Sequence, residues 1–489
     1  MFMKENLYPQ NPHFAPLQTN PAAPSRWGVF GAHDPSVAYC DGAYYAFSTG
    51  TYGENAYQIR RSQDLIHWQY VGQAFPRGIA VSLPETVKQL SAVYGRPPQT
   101  DNLWAPDVVP AAGGGWWLYG CYTAEFGNNY SVLFLARADD ICGEYKHIAD
   151  LVVTGGDWGR TPNAIDPQIF FTPQGKMYMT YGSFFGGIRL LELDPATGLR
   201  KDGFTRAQYD AGEISGGEYF GRPLLSSSDA EGSVVLRRVV PVCRGNVFGD
   251  LSALSWERRE QYFLMASVGS LSRDYTMRVW QSDSPDGVFS SPCGERGGKV
   301  SGSFSWRHGP EDGRIGCDFF VPGHNDLFET PAGDVLIAYH CRTPFPSGKA
   351  GESGPSHHLF IGLCAFNARG ELVISPNRYA GERPRAVKKE EIFSCGGNYD
   401  CVEFSENARA CLYAKPGFQI FPDGTLAFGG RKGVWRLYGE NFFSFTLGGE
   451  TCHGAALPAW IEAEGRGGLT ISARSERGLP VFLNQSFSG

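Results

Sequence analysis

Two Asp-Pro pairs in this sequence each head an aromatic run: Asp34 in HDPSV (33–37) and Asp166 in IDPQIF (165–170). Proline biases the residue before it toward an extended conformation, which would aim each carboxyl away from its own strand. Two carboxyl groups flanking one sugar bond are what glycoside hydrolysis needs. One protonates the leaving oxygen and the other activates water or attacks carbon. Asp34 is the candidate base. A third carboxylate beside such a pair raises the pKa of the acid by like-charge repulsion, a role open to Asp166. Asp residues of this kind also serve as turn caps. Asp107, in WAPDVV (104–109), is a further inward candidate for binding substrate, and Trp104 beside it suits a sugar platform or core packing equally.

Such carboxylates need a frame that brings them together. Five acidic or polar turns, HDPSV, WAPDVV, IDPQIF, GDLSAL (249–254) and GHNDLF (323–328), each precede an apolar, aromatic run. The runs are AYYAFST (43–49), GWWLYGCYT (115–123), KMYMTYGS (176–183), QYFLMASVGS (261–270) and DVLIAYHCR (334–342). These read as strands. A spacing of about 60 to 85 residues accommodates four antiparallel strands per unit, which predicts an all-β, five-bladed β-propeller over 1–385. A large β-sandwich is the alternative. From 386 to 489 the strands shorten and the acidic turns stop, which predicts a small C-terminal β-sandwich or barrel. The one helical stretch is PETVKQLSAVY (84–94).

The composition fits this frame. The 489 residues include 63 Gly and 32 Pro, 14% are aromatic and 19% charged, and the net charge is −7. Many turns and few helices follow. With no Lys/Arg cluster, nucleic acid is excluded as a partner. No run of 18 apolar residues exists, so no membrane-spanning helix is expected. The first residues contain no apolar signal core, and the 12 Cys include no CxxC pair. Both features predict a cytoplasmic protein with reduced cysteines.

In combination, YYAFSTG, YQIRRSQDLIHWQYVG (57–72), NLWAPDVV (102–109), NAIDPQIFFTPQGKMYMTYGSFFGGIRLLELDP (163–195), PGHNDLF (322–328), DVLIAYHCR and SPNRYAGE (375–382) resemble successive blades of the arabinanases and arabinosidases of glycoside hydrolase family 43. The last of these resembles the entry to the extra β domain of the longer members. The resemblance implies inverting cleavage of α-L-arabinofuranosyl linkages in oligosaccharides, with Asp34 as general base and Asp166 as pKa modulator. It also implies that His324 faces an axial metal ion, usually calcium, largely through water. β-Xylosides or galactan are alternative substrates on the same fold. Family members carry the acid Glu some dozen residues before the fourth-blade aromatic strand. Here that stretch is RGNVFGDLSALSWERREQYFLM (244–265), which offers Asp250, with Glu218 in the preceding loop as the other candidate. If neither reaches the site, the chain would be a carbohydrate-binding propeller.

Overall fold

The computed structural model describes residues 28–29, 31–50, 57–77, 85–93, 102–155, 161–227, 229–309, 317–343, 356–407 and 411–487. Five four-stranded antiparallel sheets follow one another along the chain, each in simple meander order. Blade 1 comprises Ala32–Cys40, Ala43–Gly50, Gln58–Ser62 and Gln69–Gln73. Blade 2 comprises Leu103–Pro110, Trp116–Thr123, Ser131–Ala138 and Lys146–Val153. Blade 3 is built from Gln168–Phe171, Met177–Tyr181, Ile188–Leu193 and Arg222–Leu225. Blade 4 is built from Ala230–Arg244, Ser255–Val268, Thr276–Ser282 and Gly298–Ser301. Phe320–Glu329, Val335–Thr343, Ser356–Phe366 and Leu372–Ile374 form blade 5.

Second strands such as MYMTY (177–181) are buried along their whole length rather than alternately. A blade packed on both faces requires this, and it explains the unbroken aromatic runs of the sequence. Separate apolar clusters fill the gaps between blades. Phe47, Ile59, Leu118 and Phe134 join blades 1 and 2, and Tyr119, Leu135, Met177 and Met179 join blades 2 and 3. Tyr178, Leu190, Val235 and Leu264 join blades 3 and 4, and Phe263, Val279, Ile337 and Phe360 join blades 4 and 5. Val37, Ala46, Leu336 and Ile361 pack blade 5 back on blade 1, so the ring closes.

Residues after the propeller form a closed barrel of eight strands, with Asn398–Glu403 paired to Pro480–Gln485. The barrel alternative of the sequence reading is therefore the one observed. A parallel pair, Phe304–Ser305 with Leu412–Tyr413, ties propeller to barrel. Next to it Cys317 and Cys411 form a disulfide, which corrects the expectation that every cysteine is reduced. The sulfurs lie 94 residues apart in sequence, and neither sits in a motif that would flag pairing. The helix expected over 84–94 is present as Glu85–Val93. Among the described residues, no helix is long and apolar enough to cross a membrane.

Candidate active site

Every first strand enters the ring through the same irregularity. His33 pairs with Thr49 and Ser36 with Phe47, so Asp34 and Pro35 together oppose a single residue. Trp104–Asp107, Glu231–Val234 and Gly323–Asp326 repeat the pattern in blades 2, 4 and 5. In blade 3 the Gly182 N–H donates to the Ile165 carbonyl and Gln168 pairs with Thr180, which reproduces it around Asp166 and Pro167. One extra residue per crossing is a β-bulge, and a bulge re-aims side chains at a strand end. The first bulged residues, Asp34, Ala105, Asp166, Gly232 and His324, all have positive φ, between 39° and 58°. For a residue other than Gly this backbone costs about 1–3 kcal/mol and persists only where its surroundings enforce it.

Because of the bulge, two consecutive side chains open onto one funnel. His33, Asp34, Trp104, Ile165, Asp166, Glu231 and His324 all line a cavity of about 790 Å³. Five carboxyl residues line it: Asp34, Asp166 and Glu231 at the strand entries, and Asp229 and Asp274, which accept hydrogen bonds from the Ser227 hydroxyl and the Ser270 N–H. Asp34 Oδ1 lies 3.0 Å from His324 Nδ1 and 3.1 Å from His33 Nε2. Thr49 Oγ1 donates to Asp34 Oδ2 at 2.9 Å and accepts from the Ala105 N–H at 2.8 Å. Glu231 accepts hydrogen bonds of 2.7 Å from the Tyr275 hydroxyl on Oε1 and the Ser183 hydroxyl on Oε2. Asp166 Oδ2 accepts from the Gly232 N–H, one residue past Glu231, at 3.2 Å.

These surroundings set opposite protonation states. Burial alone would raise the Asp34 pKa, but the adjoining His324 and His33 and the Thr49 hydrogen bond outweigh it and hold Asp34 ionised. His324, despite burial, is raised to about 9 by Asp34 and Asp166. Burial raises Glu231 and outweighs its two hydroxyl donors and His324. Asp166 is raised by burial and then by Glu231 and Asp34, against His324. One ionised carboxylate, Asp34, and two carboxyls biased to their protonated forms, Glu231 and Asp166, share a cavity.

The structure places several sequence candidates elsewhere. Asp250 is exposed and caps the turn Leu251–Ala253 at the tip of the blade 4 hairpin, accepting from the Ser252 N–H. Glu218 is exposed and closes a capping box with Ser215. Neither lines the funnel. The error has a physical source. The blade 4 hairpin is long, its ladder running from Ala230–Val268 out to Arg244–Ser255. The residue that opens the blade is therefore far upstream of the aromatic strand, and GDLSAL is a hairpin tip rather than a blade entry. Glu231, in DAEGSVV (229–235), was missed. Its signal was an acidic residue before Gly-Ser-Val-Val, at the same distance ahead of an apolar residue as His33 is ahead of Val37.

Asp107 is also corrected. Two residues past the bulge start, it faces the neighbouring blades: its Oδ1 accepts from the Ser36 hydroxyl at 2.7 Å and its Oδ2 from the Ile169 N–H at 2.6 Å. Asp326 holds the Val37 N–H at 2.7 Å, and the Gln168 side chain holds the Val235 N–H at 3.1 Å. These are clasps between blades rather than substrate contacts. Trp104 does line the funnel, half-buried, with exposed Phe126 6.1 Å away between ring centroids.

Comparison with known proteins agrees with this geometry. The model of glycosyl hydrolases family 43 matches residues 29–226, and that of the C-terminal lipocalin-like domain of this group matches 376–483. The chain is 26% identical to an extracellular endo-α-(1→5)-L-arabinanase of Thermotoga petrophila, over 94% of this chain and 93% of the relative. It is 27% identical to extracellular endo-α-(1→5)-L-arabinanase 2 of Bacillus subtilis, over 92% of each. A solved family 43 protein from Bacillus licheniformis superposes with a TM-score of 0.74 at 26% identity, covering 94% of this chain and 98% of its own. The Thermotoga petrophila enzyme superposes at 0.73 with 25% identity, covering 94% and 100%. The extracellular naming of both relatives overturns the cytoplasmic expectation, and the Cys317–Cys411 disulfide accords with an oxidising compartment. Propeller, barrel and funnel carboxyls together place the chain, as a glycosidase, in glycosyl hydrolases family 43.

Proposed function

We propose that this protein hydrolyses α-1,5-linked L-arabinofuranosyl bonds in arabinan and its fragments by single displacement with inversion, with Asp34 as base and Glu231 as acid. The observation that carries the roles is that one funnel holds the ionised Asp34 and the protonation-biased Glu231, whose two oxygens meet only neutral hydroxyls, while the third carboxyl, Asp166, is tied to the Gly232 backbone. The names of the relatives supply the sugar. Water held by Asp34 attacks the anomeric carbon as its proton passes to the carboxylate. The bond to the leaving oxygen breaks as Glu231 delivers its proton there. The cycle ends with Asp34 protonated and Glu231 ionised, and exchange with solvent restores both. Asp166 is a positioning residue. Burial, and then Glu231 and Asp34 against His324, raise its own pKa to about 8, so its titration is tied to that of Glu231, and its bond to the Gly232 N–H fixes the backbone that carries the acid. His324 and Thr49 orient the base.

An axial calcium ion forms part of the same reading. Below the funnel lies a cavity of about 20 Å³, lined by Ser36, Asp107, Asp166, His324, Asn325 and Asp326 among others. It has room for one ion or water. Asn325 is buried with both side-chain polar atoms lacking hydrogen-bond partners. Burial raises both Asp107 and Asp326, and Asp107 raises Asp326 further. Crowded oxygen donors suit a hard cation. His324 would face it through water, and Asn325 and Asp326 would supply oxygens. When bound, the ion would supply positive charge beneath the base. Product analysis by NMR tests the whole proposal: β-arabinofuranose as first product from α-linked substrate is expected, and first release of the α-anomer would refute inversion.

A further inference from the structure

On the blade 5 side of Asp34 lies a cluster of three imidazoles that donate and accept no proton in the proposed reaction. His33 precedes the blade 1 bulge, His340 lies on the second strand of blade 5 and His357 on the third. One ring nitrogen from each falls within 4.8 Å of the other two. The His33 and His357 rings stack at 3.8 Å, and His340 stands edge-on to them at 4.4 and 4.6 Å. His340 is wholly buried, and its Nε2 has no hydrogen-bond partner. A buried polar atom in that position bears its full desolvation penalty, which a bound ion would relieve.

The donor chemistry is specific. Imidazole suits zinc-class cations, and three His with an open fourth position is a recurring zinc arrangement. Such ligands are oriented by an outer partner: Asp34 Oδ1 stands 3.1 Å from His33 Nε2, and His340 Nδ1 accepts from the Asp34 N–H at 3.4 Å, which leaves Nε2 as its ion-facing nitrogen and makes binding there release a proton. His357 Nε2 accepts from the Arg342 Nε–H at 2.9 Å, a bond that an ion at that nitrogen would displace. Burial pushes all three imidazoles toward the neutral, ligating form, His33 down to about 4. His33 also lines the funnel, which gives an ion its way in. The oxygen-rich axial cavity is a separate place with different donors.

We propose that His33, His340 and His357 bind one divalent transition-metal ion of the zinc class, and that its binding inhibits hydrolysis. A dication beside Asp34 would weaken that carboxylate as a base and turn His33 away from it. The inhibitory half rests on the reading of Asp34 as base; the binding half does not.

The test is calorimetric titration of zinc chloride into the chelator-treated full chain, repeated with cobalt(II) to read its visible d–d absorption. Saturation at one ion per chain is expected, with cobalt bands of tetrahedral strength. His357→Gln, and His357→Asn as a second variant in case the first misfolds, should each weaken zinc by roughly 10–100-fold, as loss of one well-placed ligand does. Zinc inhibition, scored against each protein's own zinc-free rate, should need a correspondingly higher concentration in the variants. Absence of a saturable zinc isotherm in the parent chain, or unchanged zinc affinity in a folded variant, would overturn the site. Tight binding with no inhibition would overturn only the inhibitory half. If the chain hydrolysed no arabinan, the isotherm and the cobalt spectrum would still decide the site.

Discussion

Replacing Glu231 by Ala tests the assignment of the acid directly. Glu231 touches Tyr275 and Ser183 by hydrogen bonds and feels His324 and Asp34 through the field of the funnel. A positioned general acid contributes about 10²–10⁴-fold, or about 2.7–5.5 kcal/mol of barrier. The effect should depend on the leaving group. In arabinan the departing sugar oxygen is strongly basic and needs the proton, so the full loss should appear in kcat on arabino-oligosaccharides. A 4-nitrophenyl arabinofuranoside releases a stable phenolate, and there the loss should be far smaller. Asp34→Ala should depress both substrates alike, because water activation is common to them. In the parent enzyme activity falls as pH rises through the Glu231 pKa, since the acid must hold its proton. That pKa is raised, so the alkaline limb should lie above the range of an ordinary Glu, and it should vanish in Glu231→Ala. Folding should survive, because the substitution removes a carboxyl that burial already disfavours in its charged form. Steady-state kinetics on the two substrates, with Asp250→Asn and Glu218→Gln as exposed controls, give the readout. Full arabinan activity in Glu231→Ala, or its loss in either control, would refute the assignment.

Asp107→Ala should lower stability by about 1–3 kcal/mol, because the buried Ile169 N–H loses its acceptor, and melting temperature should fall with KM little changed; a raised KM at an unchanged melting temperature would restore Asp107 as a substrate contact. Gly232→Ala should lower both stability and kcat. Its Cβ would lie 2.9 Å from His324 Cγ at a φ of +57°, so either His324 or the Glu231 backbone must move. Trp104→Ala should raise KM by roughly 2–10-fold with a smaller change in kcat if the indole stacks on a sugar, the range set by a stacking contribution of about 0.5–1.5 kcal/mol. Chelation of calcium should lower the melting temperature and calcium should restore it, the shift growing with the logarithm of free ion; a melting curve indifferent to calcium would remove the axial ion.

The repeat behind the fold was legible as chemistry before it was legible as geometry. Aligned on the bulge, the five entries read DPSV, APDV, DPQI, GSVV and HNDL, each ending in a buried apolar residue: Val37, Val108, Ile169, Val235 or Leu327. A search for acidic turns finds four of them. GSVV escapes because Gly takes positive φ without help, so blade 4 needs neither Pro nor Asp at its bulge. Its functional carboxyl stands one residue earlier, on Glu231. Asp107 was misread for a related reason. Residue type says nothing about which side of the bulge a carboxyl occupies, and two residues along the strand exchange a funnel position for an inter-blade one. The disulfide was hidden because its halves meet only when the barrel docks on the propeller.

The bulge joins assembly to catalysis. In blades 1, 3 and 5 its first residue lines the funnel, and in blades 2, 3 and 5 its third clasps the next blade through Asp107, Gln168 and Asp326. The spacing of the funnel carboxyls is therefore set by the same contacts that close the ring. Burial by itself would neutralise Asp34 and Glu231 alike, which would leave no base. Blade 5 breaks that symmetry, because its bulge carries an imidazole instead of a carboxyl. His324 sits 3.0 Å from Asp34 and pairs with it, while Glu231 is met by two neutral hydroxyls. Environments that push two titrating groups apart assign the acid and the base. On that argument the roles belong to the neighbours as much as to the carboxyls. A variant that removes the His324 charge without moving its backbone, such as His324→Gln, should let the Asp34 pKa rise and shift the acid limb of the pH profile upward; an acid limb that stayed in place would mean that the base is held ionised by something other than His324.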